Sequence, residues 1–553
     1  MIRAKKRFKL DVWNWVMIIT FVFLLLFLII PLINVLKESF IDSTGLKATA
    51  SNYVKIFTKK YYFSSLFHSL TVCTLATIFA TLIGVPLAYA ITRYNVPFKV
   101  FIYVLIIISL MMPPFIGAYS WIMLLGRNGI IVRNLAKIGI NLSSIYGMKG
   151  IVLVFTLQYY PHVFMYVQGS LNSIDSSLED AAESLGVSKF KRFMSVTLPL
   201  VFPAIASGML IVFLSSFADF GTPMLIGESY SVLSVLTYNQ FVSEMGGNSG
   251  IAASLGIVMI LISTMALMLQ RYLLSKKNYR MSALAPPAVI KIRGLKRFLV
   301  TLFCGIIVFL SILPQAIVVI TSFLKTKGPI FYRQFSLDSY KSILYKVPTS
   351  ILHTFEYSTV AIIVMIFAGM LISYVLVRRR NILSSIMDVS VMMPYTLPGT
   401  VFGIALILTF NKGPLILTGT WIILVISYIV RKLPYTVRSS TAVLYQMDPS
   451  LEEASINLGV APFKTFWKVT APLMIKGTAA GAVLSWISTI NELSSTIILY
   501  AGATATITIE VYAEVFTNNY GTGAALASIL TFASVVSILL VNKLTGGKGF
   551  NIQ

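Results

Sequence analysis

The chain has 553 residues, of which 57% are hydrophobic and only 11% charged. A soluble domain needs roughly 25% charged residues to cover its surface, so a large water-soluble enzyme is excluded and an all-α integral membrane protein is expected. The net charge of +25 would suggest nucleic acid in a soluble chain; here the basic residues fall in short segments between apolar runs, and no zinc-finger spacing or aromatic-basic interleaving supports such a site.

The N-terminal MIRAKKRFK precedes an apolar run from Val12 to about Leu36. That run is too long for a signal-peptide core and lacks a small-residue cleavage site, so it reads as a retained first span. With about 20 apolar residues per span, the sequence predicts about twelve helices. The first six cover 12–36, 65–92, 98–125, 150–170, 200–226 and 250–274. The second six cover 295–323, 350–377, 384–410, 414–434, 475–500 and 523–542. Short basic segments favour the cytoplasmic side. Arg93, Lys99, Lys189, Lys191, Arg192, the run Arg378–Arg380 and the group Arg431, Lys432 and Arg438 are read as such loops. This puts both termini in the cytoplasm. Pro286 and Pro287, flanked by basic residues, cannot continue a helix, and mark a seam between 1–285 and 286–553. Cys73 and Cys304 lie in apolar runs and read as buried, unpaired thiols.

Internal repetition decides the architecture. Leu171–Leu200 laid over Leu444–Leu473 matches at more than half of its positions, including Asp175, Glu179, Gly186, Phe190, Thr197 and Pro199. Further out, His68, Gly84 and Arg93 meet His353, Gly369 and Arg378, and Asp219 meets Glu492. Six spans per half is an even number, so parallel six-helix repeats are expected.

The repeated segment reads as two short helices. Glu179, Asp180 and Glu183 suit the positive end of a first helix, and Gly186 suits its C-terminal turn. A second helix from about Ser188 places Phe190, Phe193 and Met194 on one side and Lys189, Lys191 and Arg192 on the other. Pro199 falls in the first turn of the next span. In the second copy the aromatic set is Phe463, Phe466 and Trp467. An aromatic cluster with a charged rim suits docking to a protein. A lipid-surface helix would explain one copy; two copies at matched positions favour two like partners.

Asp180-Ala181-Ala182, three residues, Gly186, then Leu198-Pro199 resembles the cytoplasmic loop of binding-protein-dependent ABC importer permeases. The second copy departs at Ser455 in Glu453-Ala454-Ser455 and at Ala471 before Pro472. In that family the loop is a coupling helix seated in a groove of an ATPase. The resemblance thus implies coupling roles for Glu179, Asp180, Ala181, Ala182, Gly186, Phe190 and Pro199. It implies the same for Glu452, Glu453, Ala454, Ser455, Gly459, Phe463 and Pro472. It implies two copies of a cytoplasmic ABC ATPase, which hold ATP and Mg, and an extracytoplasmic binding protein. It implies a place in the bacterial cytoplasmic (inner) membrane. The chain itself has no G-x-x-x-x-G-K-[ST] loop; TGGKGFN near its end lacks the spacing. It is expected to be no enzyme and to bind no cofactor.

The stretch SFADFGTPMLIGESYSVLSVLTYNQF (216–241) is most similar to fused permeases for iron(III). Fused permeases for aminoethylphosphonate, thiamine or polyamines are the alternatives, and a twelve-helix secondary transporter is the rival class. Asp219 and Glu492 are carboxylates within spans, so they should face the bundle interior or water. They either line the path, where oxygen ligands suit a hard cation, or accept hydrogen bonds and steady the halves. Tyr159–His162 is expected to pack between helices, and His68 and His353 to contact loops rather than metal.

Overall fold

The computed structural model describes residues 11–41, 48–110, 112–141, 144–243, 247–275 and 289–544. The basic N-terminal run, Met111, the Pro286–Pro287 seam and the TGGKGFN segment lie outside them. The long helices are α1 (Val12–Ser39), α2 (Lys60–Arg93), α3 (Lys99–Leu110), α4 (Pro114–Leu125), α5 (Met148–Asn172), α6 (Lys189–Ala218) and α7 (Ser249–Ser275). There follow α8 (Gly294–Ser322), α9 (Pro348–Arg378), α10 (Ile382–Met392), α11 (Gly399–Phe410), α12 (Trp421–Gln446), α13 (Ala471–Ile490) and α14 (Tyr520–Leu544). A two-stranded antiparallel hairpin, β1 (Leu324–Lys327) and β2 (Ile330–Phe335), joins α8 to α9. The alternation there is too short to stand out beside the apolar runs.

Among the described residues nine helices are long and apolar enough to cross a membrane, or up to eleven if each of two bent pairs is one span. The expectation of about twelve differs at identifiable places. The span at 98–125 is broken between α3 and α4, where Pro113 and Pro114 interrupt the helix. The span at 384–410 bends by 110° between Ile382–Thr396 and Gly399–Phe410. Helix α12 fails the apolar test because Arg431, Lys432 and Arg438 lie within it. These three residues are therefore on a packed helix and not in a loop.

Each half has a three-helix centre. Helices α2, α5 and α6 pack together in the first, and α9, α12 and α13 in the second. Lipid tails give helices no hydrophobic reason to associate, so small residues that admit close approach matter. A Cβ on Gly84 would lie 2.9 Å from the Val163 Cβ; one on Gly369 would lie 2.8 Å from the Thr436 Cγ2. The repeat thus preserves the glycine at which each half's longest helix crosses its neighbour.

The first helix of each half bridges both bundles: α1 packs on α7 and α8 on α14 within their own halves, and each also enters the core of the other half. Trp13, Met17, Leu24 and Leu28 of α1 belong to the core of the second half, beside Tyr357, Phe402 and Phe466. Cys304 and Val308 of α8 belong to the core of the first half, beside Phe155 and Phe164. The halves are interlocked by an equivalent helix partly exchanged between their cores.

Gly84→Val should lower the detergent-solubilised protein's stability by about 1–3 kcal/mol through overpacking. Gly169→Ala, where a Cβ meets nothing within 4 Å, should leave the melting temperature unchanged or raise it. Equal melting curves for Gly84→Val and wild type would contradict the tight crossing.

Candidate functional site: two anchored loops and a shared cavity

Both copies of the repeated segment fold alike. Asp175 accepts a hydrogen bond from the Ser177 N–H at 3.0 Å, starting the helix Ser176–Ser184 slightly before the predicted onset. Asp448 accepts one from the Ser450 N–H at 2.9 Å before Ser450–Asn457, which holds its carboxyl below the usual aspartate range. Each helix then ends on a left-handed glycine, Gly186 at φ +75° and Gly459 at φ +83°. The Val187 N–H reaches the Ala182 carbonyl at 3.1 Å and the Val460 N–H reaches Ser455 at 3.2 Å, closing the turn. The chain re-enters helix at Lys189 and Pro462 and passes through matched π-helical turns, Phe193–Thr197 and Phe466–Thr470. A proline ring clashes with the carbonyl four residues back. The wider turn takes up that clash before Pro199 and Pro472.

The loop glutamates point inward. The Glu179 Oε1 accepts from the Arg93 Nη2 at 2.7 Å and from the Thr197 hydroxyl at 2.8 Å. Arg93 ends α2 and is 2% exposed. Glu452 accepts from the Arg378 Nε at 3.2 Å and the Tyr374 hydroxyl at 3.1 Å, and Arg378 ends α9. The repeat alignment flagged both arginines and both glutamates, but nothing in it joined them. Asp180, Ala181, Glu453 and Ala454 face solvent, and Ala182 and Ser455 are half-buried. The Ser455 hydroxyl meets the Thr465 hydroxyl at 3.0 Å. At the position of Thr465 the first copy carries Arg192, which pairs with Glu183 and holds that carboxyl below the usual range.

What each loop presents outward is apolar. Leu185 and Leu458, at matched positions, are 83% and 85% exposed. Phe190 is 72% exposed and Phe463 39%. The predicted aromatic sets need correction, because Phe466 is fully buried and Phe193 packs edge-on to Tyr89 at 5.2 Å. The buried Phe466 belongs to a brace from α1: Trp13 stacks on Tyr374 at 4.1 Å and meets Phe466 edge-on at 5.3 Å. Asp11 adds a 3.0 Å pair with Arg379. At the first loop the lead-in to α8 plays this part. The Ile290 N–H donates to the Arg93 carbonyl at 2.8 Å, and the Ile292 N–H to the Asn95 side chain at 2.8 Å.

A cavity of about 860 Å³ lies between the halves, lined from α5, α6, α12 and α13. Asp219 and Glu492 both face it, each in the break after its helix. Asp219 accepts from the Tyr159 hydroxyl at 3.0 Å, and from the Thr222 N–H and hydroxyl, both at 3.1 Å. Glu492 accepts from the Ser495 N–H at 3.1 Å, pairs with the Lys432 Nζ at 2.7 Å, and pairs with Arg431. Tyr159 packs between helices as expected and, with His162, also lines the cavity, while Tyr160 meets Ser311 of the exchanged α8 at 3.0 Å. Phe115, Phe220, Leu493 and Ile497 share one buried apolar cluster, and Phe115 and Leu493 of that cluster also line the cavity. The His68 and His353 rings contact the Ser231 and Ala505 carbonyls at 3.1 and 3.3 Å. Among the described residues no group of three or more His, Cys, Asp or Glu is placed to hold a metal.

Residues 80–279 and 365–545 match the family described as "Binding-protein-dependent transport system inner membrane component". These segments make up more than half of the chain and contain both loops and both cavity carboxylates. The chain belongs to this family. It is a multi-pass ABC importer permease, a transport protein and not an enzyme. The ferric transport system permease protein FbpB of Actinobacillus pleuropneumoniae is 27% identical over 545 residues, covering 94% of this chain and 76% of the relative. The putative ferric transport system permease protein FbpB 1 of Haemophilus influenzae is 28% identical over 505 residues, covering 86% and 76%. The spermidine/putrescine transport system permease protein PotB of Haemophilus influenzae is 28% identical over 252 residues, covering 44% of this chain and 88% of that one.

The permease's buried loop pair is open to a double-mutant cycle. Arg93→Ala and Glu179→Ala should couple by more than about 1 kcal/mol in unfolding free energy, since contacting charged partners are not additive. Additivity within about 0.5 kcal/mol would show that the pair holds nothing together.

Proposed function

We propose that this permease is the translocation subunit of an ATP-driven importer for iron(III), with two permease units fused in one chain at the 286–287 seam. Each unit contributes six spans in parallel orientation, with both termini in the cytoplasm. The two loops seat two copies of a cytoplasmic ATPase, and an extracytoplasmic binding protein delivers cargo. The observation that carries this reading is the duplicated loop. In both halves the arginine that ends the longest helix pairs with the loop glutamate, and a matched leucine and phenylalanine face outward. Exposed apolar side chains on a rigid, charge-rimmed turn are docking anchors. A secondary transporter has no use for two of them.

The cargo assignment draws on the two ferric permeases that match nearly the whole chain. A polyamine is the second reading, favoured by the likeness to PotB. The cavity is lined both by the breaks at Asp219 and Glu492 and by Arg438, which lies on the part of α12 that leads to the second loop. Purified receptor, permease and ATPase in liposomes test the whole: ATP and receptor together should drive ⁵⁵Fe(III) uptake. Uptake on a proton or sodium gradient without ATPase would overturn it.

The turn glycines give a sharper test. Gly186→Val and Gly459→Val place a β-branched residue at positive φ, a genuine outlier. Each should reduce receptor-dependent uptake at least tenfold at unchanged membrane level. Full uptake by both would remove the coupling role of the turns.

A further inference from the structure

The cavity carries more cations than carboxylates. Among the described residues lining it, Arg431, Lys432 and Arg438 face Asp219 and Glu492. Neither carboxylate is free. Glu492 is clamped between Arg431 and Lys432, and Asp219 already accepts bonds from Tyr159 and Thr222. One carboxylate between two cations leaves a surplus positive charge, and the Arg431 Nε is buried without a hydrogen-bond partner. Arg438 lies seven residues further along α12, two helical turns nearer the loop side on the same face. Its ion pair, with Asp388, is long at 3.4 Å, and both side chains are well exposed, so it holds the guanidinium weakly. The hydroxyls of Tyr395, Tyr435 and Ser488 add neutral polar groups.

Such a lining repels a bare hard cation, which needs anionic oxygen ligands. It suits the reverse. We propose that the cavity takes its cargo behind an anionic oxygen shell, phosphate or carboxylate, which Arg438 and the Arg431–Lys432–Glu492 cluster recognise. This rests on the importer reading above and specifies its substrate: the ferric ion crosses wrapped in oxyanion. Guanidinium matches such oxygens in bidentate fashion.

The test uses the receptor–permease–ATPase complex in liposomes, supplied with ⁵⁵Fe(III) in phosphate or citrate, and with ³³P-phosphate with and without iron. Arg438→Gln should lower uptake at sub-saturating iron at least about tenfold, the effect of losing one charge-assisted hydrogen bond. Arg438→Glu should abolish uptake, and Arg438→Lys should keep most of it. Labelled phosphate should accumulate together with iron. Accumulation of phosphate without iron would keep the oxyanion site and make the free anion the cargo. Wild-type uptake by both Arg438→Gln and Arg438→Glu, or iron uptake indifferent to the oxyanion, would overturn the proposal. Receptor-stimulated ATP hydrolysis, read in parallel, separates the two failures. Its absence from the wild-type complex sinks the importer reading; its presence with neutral Arg438 variants sinks the anionic shell alone.

Discussion

The link between a loop glutamate and the arginine that ends a long helix organises this molecule. Arg93 is almost wholly removed from water, and the pair it forms with Glu179 is 2.7 Å long. A buried guanidinium is tolerable only when partnered, and stripping one partner costs about 3–5 kcal/mol. The loop therefore cannot shift relative to α2 without exposing an uncompensated charge. Arg378 and Glu452 impose the same condition on α9. Movement imposed on either loop is transmitted to the longest helix of its half, and through the Gly84 and Gly369 crossings to α5 and α12.

The exchanged helices decide what that movement can do. Helix α1 braces the second loop through Trp13 and Asp11, and the lead-in to α8 holds the end of α2 at Arg93 and Asn95. The second loop is thus tied directly to the helix that begins the first half, and the first loop is tied through the end of α2 to the segment that leads into α8. Independent sliding of the halves is opposed at both loops at once. A concerted rotation that preserves the local contacts is the low-cost motion, since packed interfaces switch between discrete arrangements and do not deform smoothly.

Much of this was legible because duplication amplifies weak signals. The turn glycines, the capping aspartates, the prolines and the close-crossing glycines all fall at repeat-matched positions, and each performs the same local task twice. What one sequence did not reveal was pairing across long separations. Hydropathy treats Arg431 and Lys432 as loop residues because it prices a charge without its partner; Glu492 is that partner, some sixty residues away. Phe466 reads as a surface aromatic because the residue that covers it, Trp13, lies in the other half. The pattern of the exposed face was visible in the sequence, and the exchange of first helices was not.

The cavity carboxylates show why path and scaffold are hard to tell apart here. Helices α6 and α13 both stop at mid-bundle, and each stop leaves backbone groups that lipid cannot satisfy. Asp219 supplies an acceptor for the Thr222 N–H, and Glu492 for the Ser495 N–H, so each caps the short helix after its break. The breaks are what let two helices open a polar space between the halves. A carboxylate that caps such a break necessarily faces that space, and in the second half it must be neutralised there by Arg431 and Lys432. The two capping carboxylates and the two cations beside Glu492 cancel in charge, so the excess positive charge of the lining rests on Arg438, a residue that neither break requires.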